Sequence, residues 1–196
     1  KIELSLKKDQ LIKILNKLQP YDLGHDLVRI GSDNDGGYLV PNIINEIKIC
    51  FSPGTGKNVS FENDLINRGI ETFLADGTIK ESDIKLDNLN FINKNLASYD
   101  SEKTTTLENW VQNKTKDANE LLLQMDIESS EYETIHSTSQ ECLKKFKIII
   151  IEFHYFEKIN NYYFYKNFNN TLEKLLLNFE ISHIHPNNCQ GYYSVS

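Results

Sequence analysis

The sequence predicts an α/β fold: a doubly wound, mostly parallel sheet with helices on both faces, preceded by an N-terminal helix and a β-hairpin. Three observations carry this reading. The stretches 47–51, 121–125 and 147–151 are nearly continuous apolar runs of strand length, as expected of strands buried on both faces. Segments with apolar residues at helical spacing fall between them, and strands alternating with helices imply parallel pairing. Upstream, Asp35-Gly36-Gly37 separates the short apolar stretches 28–30 and 38–40, a hairpin signal because glycine accepts positive φ at little steric cost.

The elements follow in order. Apolar residues at 4, 6, 11, 12, 14, 15 and 18 take helix spacing from Leu11 on, and Pro20 ends that helix. The hairpin arms come next, and Pro41 closes the second. A first sheet strand at 47–51 stops at Ser52-Pro53, and a helix at 58–67 ends at Gly69. A second strand at 71–74 stops at Ala75-Asp76-Gly77, and a weaker third spans 89–92. A short helix at 107–114 precedes a fourth strand at 121–127. Residues 131–146 read as one helix with Tyr132, Ile135, Leu143 and Phe146 inward. A fifth strand at 147–153, a helix at 162–179 and the start of a sixth strand at 181–185 complete the pattern. With no internal repeat or low-complexity linker, the expected organisation is an extension over 1–45 and a single compact unit over 46–196.

Composition narrows the function. At 196 residues, 39% apolar and 25% charged, the chain can bury a real core. A net charge of −7 with scattered lysines argues against tracking nucleic-acid phosphates. No apolar run is long enough to span a bilayer and the start lacks a signal-peptide pattern, although the sequence opens at Lys1 rather than Met. Cys50, Cys142 and Cys189 have no metal-finger spacing; Cys50 reads as a small buried hydrophobe, and a reducing cytoplasm is the expected location.

In parallel sheets, ligands bind beyond the carboxyl ends of the strands. After the first strand stands Ser52-Pro53-Gly54-Thr55-Gly56; after the second stands Asp76, 20 positions beyond Gly56. Glycines let the backbone approach a ligand, and an acid at that distance can accept from two ribose hydroxyls. The dinucleotide fingerprint would need a third glycine where Val59 stands, and Gly56-Lys57-Asn58 lacks the rest of a Walker pattern. An adenosine-bearing cofactor without phosphates fits better, which points to S-adenosylmethionine. The bland alternative is a tight turn followed by a surface aspartate.

The segments FSPGTG, SFENDLINRGIETFLADGT, TLENW, LLLQMDIESSEYETI, IIIIEFHYF and HIHPNN, in that order, resemble the FkbM-type S-adenosylmethionine-dependent methyltransferases. RIGSDNDGGYLVP resembles the hairpin that precedes the cofactor fold in one branch of that family, so the likeness runs from about Val28 onward. The resemblance implies a Rossmann-like, class I methyltransferase fold and O-methylation of a sugar, a glycan precursor or a small natural product, with cell-surface polysaccharide as one target. Two departures stand out: Ser129 where the family usually has glycine, and Ser52-Pro53-Gly54 in place of its glycine-rich opening. The family closes its sheet with one further strand, which would fall beyond Ser196.

On this reading Ser52, Pro53, Gly54, Thr55 and Gly56 hold the methionine part, Asp76 and Gly77 the ribose, and Asn93 and Asn95 the adenine. Asp126 ends the fourth strand and orients the methionine end or the acceptor. His154 is the expected general base, since neutral imidazole takes a proton near pH 7, and Glu152 shares its strand face and is expected to orient it. Glu128, Tyr38, Tyr155, His185, Asn187 and Asn188 are candidates for the acceptor side. Glu128 and Glu131 also suit an acidic first helical turn. As a lesser alternative, Asp126, Glu152, His154 and His183 offer hard oxygen and imidazole ligands for Mg²⁺ or Mn²⁺. The aromatics of 155–165 suit helix core, an acceptor pocket, or an interface with a partner or a second copy. Two competing functions remain at this point: a non-catalytic, partner-binding domain of the same fold, and an NAD-dependent enzyme disfavoured by Val59.

Overall fold

The computed structural model describes residues 6–33, 35–86, 89–115 and 118–187. In chain order the elements are α1 (Lys8–Lys17), β1 (Leu27–Gly31), β2 (Gly37–Pro41), β3 (Ile49–Pro53), α2 (Ser60–Asn67) and β4 (Glu71–Ala75). They continue with β5 (Asn90–Ile92), β6 (Asn95–Leu96), β7 (Thr104–Thr105), α3 (Leu107–Thr115) and β8 (Leu121–Met125). The last are α4 (Glu131–Ser137), α5 (Gln140–Leu143), β9 (Phe146–Ile151) and α6 (Tyr162–Leu176). Contacts group them into two compact units, one of His25–His154 and one of Lys1–Gly24 with Tyr155–Ser196.

The larger unit is built on a five-stranded parallel sheet in the order β5-β4-β3-β8-β9. The chain enters at the middle with β3, moves outward through β4 and β5, then returns to build β8 and β9 on the other side. The switch point therefore lies between β3 and β8, where Phe51 pairs with Leu123. Side chains alternate across the sheet. Cys50 packs with Phe61 and Leu65 of α2 and with Ile30 and Val40 of the hairpin. Phe51 faces the other way, against Phe73 (5.4 Å), Trp110 of α3 (4.9 Å) and Phe146 (6.2 Å). Every residue of β8 is buried, which is why Leu121-Leu122-Leu123 carries no polar alternation. The antiparallel hairpin β1–β2 docks on the start of α2: Gly31 N donates to Asp64 Oδ2 (3.1 Å) and Ser60 Oγ to Gly36 O (3.0 Å).

Two expected elements differ. The helix expected at 131–146 is two helices, and Phe146 opens β9 instead. Thr138 is extended and its hydroxyl turns back to Thr134 O (2.7 Å), while the Ser139 side chain accepts from Cys142 N (3.1 Å) and starts α5. Hydroxyl side chains that satisfy local backbone groups break a helix that apolar spacing alone would continue. The sixth strand expected at 181–185 joins no ladder among the described residues; its backbone accepts at Ile181 O from Tyr21 N (2.7 Å). The pair β6–β7, unforeseen because its strands are two residues long, is tied down by Asp100, which accepts from Thr105 Oγ1, Thr106 N and Asn109 Nδ2 at 3.0 Å each.

In the smaller unit, the Asn161 side chain caps α6 by accepting from Tyr163 N and Phe164 N. The buried ring of this unit is Phe168, which packs on Phe156 (5.2 Å) and Phe164 (6.5 Å); within the 155–165 stretch Tyr155, Phe156, Tyr162 and Tyr163 are exposed and Phe164 is half-buried. Among the described residues, no helix is long and apolar enough to cross a membrane.

Candidate active site

Strand ends converge at the switch point. Gly54 N donates to Ala75 O (2.9 Å) and Asp126 N to Pro53 O (3.2 Å), so β3, β4 and β8 finish level with one another. Gly54 takes φ +78°, and a Cβ there would lie 1.5 Å from the Asp126 carbonyl oxygen; no larger residue fits. Thr55 Oγ1 donates back to Ser52 O (2.8 Å). Gly56 N donates to Asp76 Oδ2 (2.9 Å), which brings the Gly-x-Gly turn and the acid at the end of β4 into one mouth.

Asp76 is buried, and its other oxygen accepts from Thr78 N (2.7 Å) and Thr78 Oγ1 (2.6 Å). Asn93 Nδ2 donates to Asp76 O (3.0 Å) and Ile79 O (2.6 Å), and Asn95 Oδ1 accepts from Gly77 N (2.9 Å). These asparagines brace the loop after β4. Three bonds to the Asp76 carboxylate leave one of its roughly four acceptor positions open.

On the α2 face of the sheet a polar ladder leads into the same mouth. Ser52 Oγ lies 2.5 Å from Glu62 Oε1 and 2.6 Å from Gln124 Oε1, and Gln124 Nε2 donates to Tyr38 Oη (3.1 Å). Tyr38 packs edge-on against Phe61 (5.3 Å), which positions its hydroxyl. Burial, then the carboxylates Asp126 and Glu152, push the Tyr38 hydroxyl far above the ordinary phenol range, so it stays protonated. Burial likewise pushes Glu62 up to about 7 against the Ser52 hydrogen bond.

Beyond β8 and β9 lies an acidic cluster around one imidazole. Glu131, fully buried in the first turn of α4, has Oε1 2.5 Å from His154 Nδ1. The other ring nitrogen then faces Asp126 Oδ1 and Glu128 Oε2, each at 3.5 Å. Tyr132 Oη fixes the backbone by donating to His154 O (2.7 Å). Burial lowers the His154 pKa, but the Glu131 hydrogen bond and the carboxylates of Glu131, Asp126 and Glu128 outweigh it and hold it above the ordinary imidazole value. Burial, with Glu152 next, pushes Asp126 up to about 7. Asp126, Glu152 and His154 each offer one ligand atom, all within 4.8 Å of one another.

A cleft at the switch point is lined by Tyr38, Gly54, Thr55, Gln124 and three carboxylate residues, Asp35, Glu62 and Asp126, with no lysine or arginine among its lining residues. Ser52, Gly54, Thr55, Gly56, Asp76, Gly77, Asn93, Asn95, Asp126, Tyr38, Glu128, Glu152 and His154 all belong to the larger unit. Tyr155, His183, His185 and Asn187 belong to the smaller one, and Asn188 lies outside the described residues. There Tyr155, at φ +62°, carries the Lys158 ammonium 3.7 Å from its ring centre, and the rings of His183 and His185 stack at 6.1 Å. The hydrogen bond to His154 Nδ1 comes from Glu131, a residue whose helix-start position gave a simpler explanation. Glu62 carries no signal of its role in the sequence; the sign of the ladder is Gln124, a polar residue inside an otherwise apolar strand after Leu121-Leu122-Leu123.

In a comparison with known protein families, the family model described as Methyltransferase FkbM domain fits residues 41–181. Neither the comparison with curated proteins nor that with solved structures returns a match.

Proposed function

The chain belongs to the FkbM methyltransferase family, and on that premise we propose that it transfers the methyl group of S-adenosylmethionine to a hydroxyl of a sugar, glycan precursor or small natural product. The carrying observation is the carboxylate-walled cleft at the switch point of the sheet. The ligand chemistry fits it: a sulfonium and an ammonium are cationic, and Glu62, a buried carboxylate with one unpartnered oxygen, is among its lining residues. Ser52–Gly56 would take the methionine part, the open acceptor position of Asp76 a ribose hydroxyl, and the loop braced by Asn93 and Asn95 the adenine. A reducing cytoplasm suits the buried free thiols of Cys50 and Cys142.

When bound, the cofactor supplies a methyl group on a positively charged sulfur, open to in-line displacement. The protein must align an acceptor oxygen with that carbon and take the proton the oxygen sheds. His154 Nε2 receives the proton, Glu131 holds the Nδ1–H and stabilises the imidazolium, and Asp126 orients the reacting groups at the rim. Tyr38 and Glu128 flank the acceptor. Calorimetry with S-adenosylhomocysteine tests the cofactor assignment: the wild type binds and Asp76→Asn binds weakly, whereas equal affinities remove the ribose role. Transfer of labelled methyl to nucleotide-sugars and polysaccharide precursors tests the reaction; His154→Ala retains S-adenosylhomocysteine binding and loses transfer.

A metal-assisted variant is the second reading, favoured by the mutual reach of Asp126, Glu152 and His154. There Mg²⁺ or Mn²⁺ would hold the acceptor oxygen, and the imidazole would be a ligand rather than a base. Mn²⁺ titration followed by electron paramagnetic resonance separates the two: no binding at millimolar metal leaves the base mechanism.

A further inference from the structure

Glu62 is a poorly accommodated acid in the larger unit. It is 2% exposed, and its Oε2 atom has no hydrogen-bond partner among the described residues, yet the residue lines the cleft. Burying a carboxylate costs several kcal/mol unless a cation or donors compensate. None of the ion pairs among the described residues involves Glu62. Its place in the first turn of α2 offers partial relief through the helix dipole. A purely structural role at this position would be met by an apolar residue such as Leu65, one turn on.

The ladder around it is short of hydrogens. The single Ser52 hydroxyl proton stands between Glu62 Oε1 and Gln124 Oε1, the Gln124 amide group points to Tyr38, and Glu62 Oε2 receives none. An ammonium group would supply what this oxygen lacks, with three N–H donors and a positive charge. Gly54 and Thr55 line the same cleft as Glu62, within reach of a ligand seated on the Gly-x-Gly turn.

We propose that Glu62 is the subsite for the α-ammonium group of the methionine moiety, its carboxylate held in place by Ser52 and Gln124. This rests on the cofactor reading above and assigns that cofactor's recognition to a residue on α2 rather than on the strand-end turn. In the unliganded protein a proton on Glu62 fills the gap, since burial holds its carboxyl up to about 7. The ammonium replaces that proton, so binding releases one.

Calorimetry decides it with two ligands, S-adenosylhomocysteine and 5′-methylthioadenosine, which lacks the amino-acid end. The isosteric Glu62→Gln should weaken S-adenosylhomocysteine binding about ten- to hundredfold and leave 5′-methylthioadenosine binding unchanged. Equal affinity of variant and wild type for S-adenosylhomocysteine overturns the proposal, as does an equal loss for both ligands. A wild type that binds neither ligand removes the S-adenosyl reading itself. A second measurement needs no variant: at pH 6 the wild-type binding enthalpy should track the ionisation enthalpy of the buffer, with proton release, and indifference to the buffer overturns the exchange.

Discussion

The two glycines of the turn after β3 look alike in sequence, and the structure assigns them different burdens. At Gly54 a Cβ would meet Asp126 O at 1.5 Å, the Asp126 carbonyl carbon at 2.5 Å and Ile127 Cγ2 at 3.0 Å; at Gly56 nothing lies within 4 Å. Both take positive φ, +78° and +60°. An alanine held at such φ costs about 1–2 kcal/mol, offset by about 0.4–1 kcal/mol from the stiffer unfolded chain. Gly56→Ala should therefore lose about 1 kcal/mol. Gly54→Ala carries the same strain plus a collision with backbone, which cannot rotate aside because Asp126 N is bonded to Pro53 O. Overpacking of this kind adds about 1–3 kcal/mol, for a total of about 2–4 kcal/mol. Urea denaturation followed by circular dichroism measures both, and S-adenosylhomocysteine affinity gauges the cleft. A Gly54→Ala variant no less stable than Gly56→Ala would refute the close approach of β3 and β8 on which the site depends.

Further expectations follow from the same geometry. Ser129 takes φ +88° where a glycine costs nothing, so Ser129→Gly should gain about 0.5–1 kcal/mol in the same urea assay; a loss would show that the serine side chain has a stabilising role. Glu62 and Asp126 are pushed up to about 7 and His154 is raised, so across pH 5 to 8 the folded state binds more protons than the unfolded one. Stability from these groups is present at low pH and lost as pH rises through their folded values. For Glu62 alone the loss is about 3 kcal/mol, and melting temperature should fall from pH 5 to pH 8; a rise would contradict the burial of these carboxylates. Glu131→Gln should lower the His154 pKa seen by NMR and move the acid limb of the transfer rate to lower pH, whereas an unchanged titration would mean that Glu131 does not govern the imidazole.

The sheet was legible because its strands are buried on both faces and carry little but apolar residues: 121–125 and 147–151 each matched a strand to within a residue or two. The hairpin was legible because Asp35-Gly36-Gly37 supplies the positive φ that a tight turn between two short apolar stretches needs, and Gly36 takes φ +80°. Legibility failed where local hydrogen bonding competes with periodicity. Thr138 and Ser139 break a helix whose apolar spacing runs on, and alternating Ile181, His183 and His185 suggest a strand that finds no ladder among the described residues. In the site, positions that follow a strand could be found by counting, which is how Asp76, Asp126 and His154 were reached. Partners on helices could not. Glu62 and Glu131 reach the cleft and the imidazole only through the packing of α2 and α4, and each has an ordinary reading as a helix-start acid.

That difference bears on why the site is so acidic. Asp126, Glu128, Glu131 and Glu152 surround one imidazole, and Glu62 lies buried with an unsatisfied oxygen, arrangements that cost stability through like charges and lost solvation. A fold selected for stability alone would replace Glu62 with an apolar residue and leave Glu131 free to reach solvent. Their retention makes sense where the missing positive charge arrives with a ligand, since a cation entering the cleft gains both its own contacts and the relief of the repulsion already present. The same charges disfavour phosphate-bearing cofactors at this mouth, in keeping with Val59 where a dinucleotide site would need glycine. In the proposed reading the spacing of Gly56 and Asp76 points to an adenosyl group, and carboxylates outside that spacing, Glu62 and Asp126, suit its cationic end.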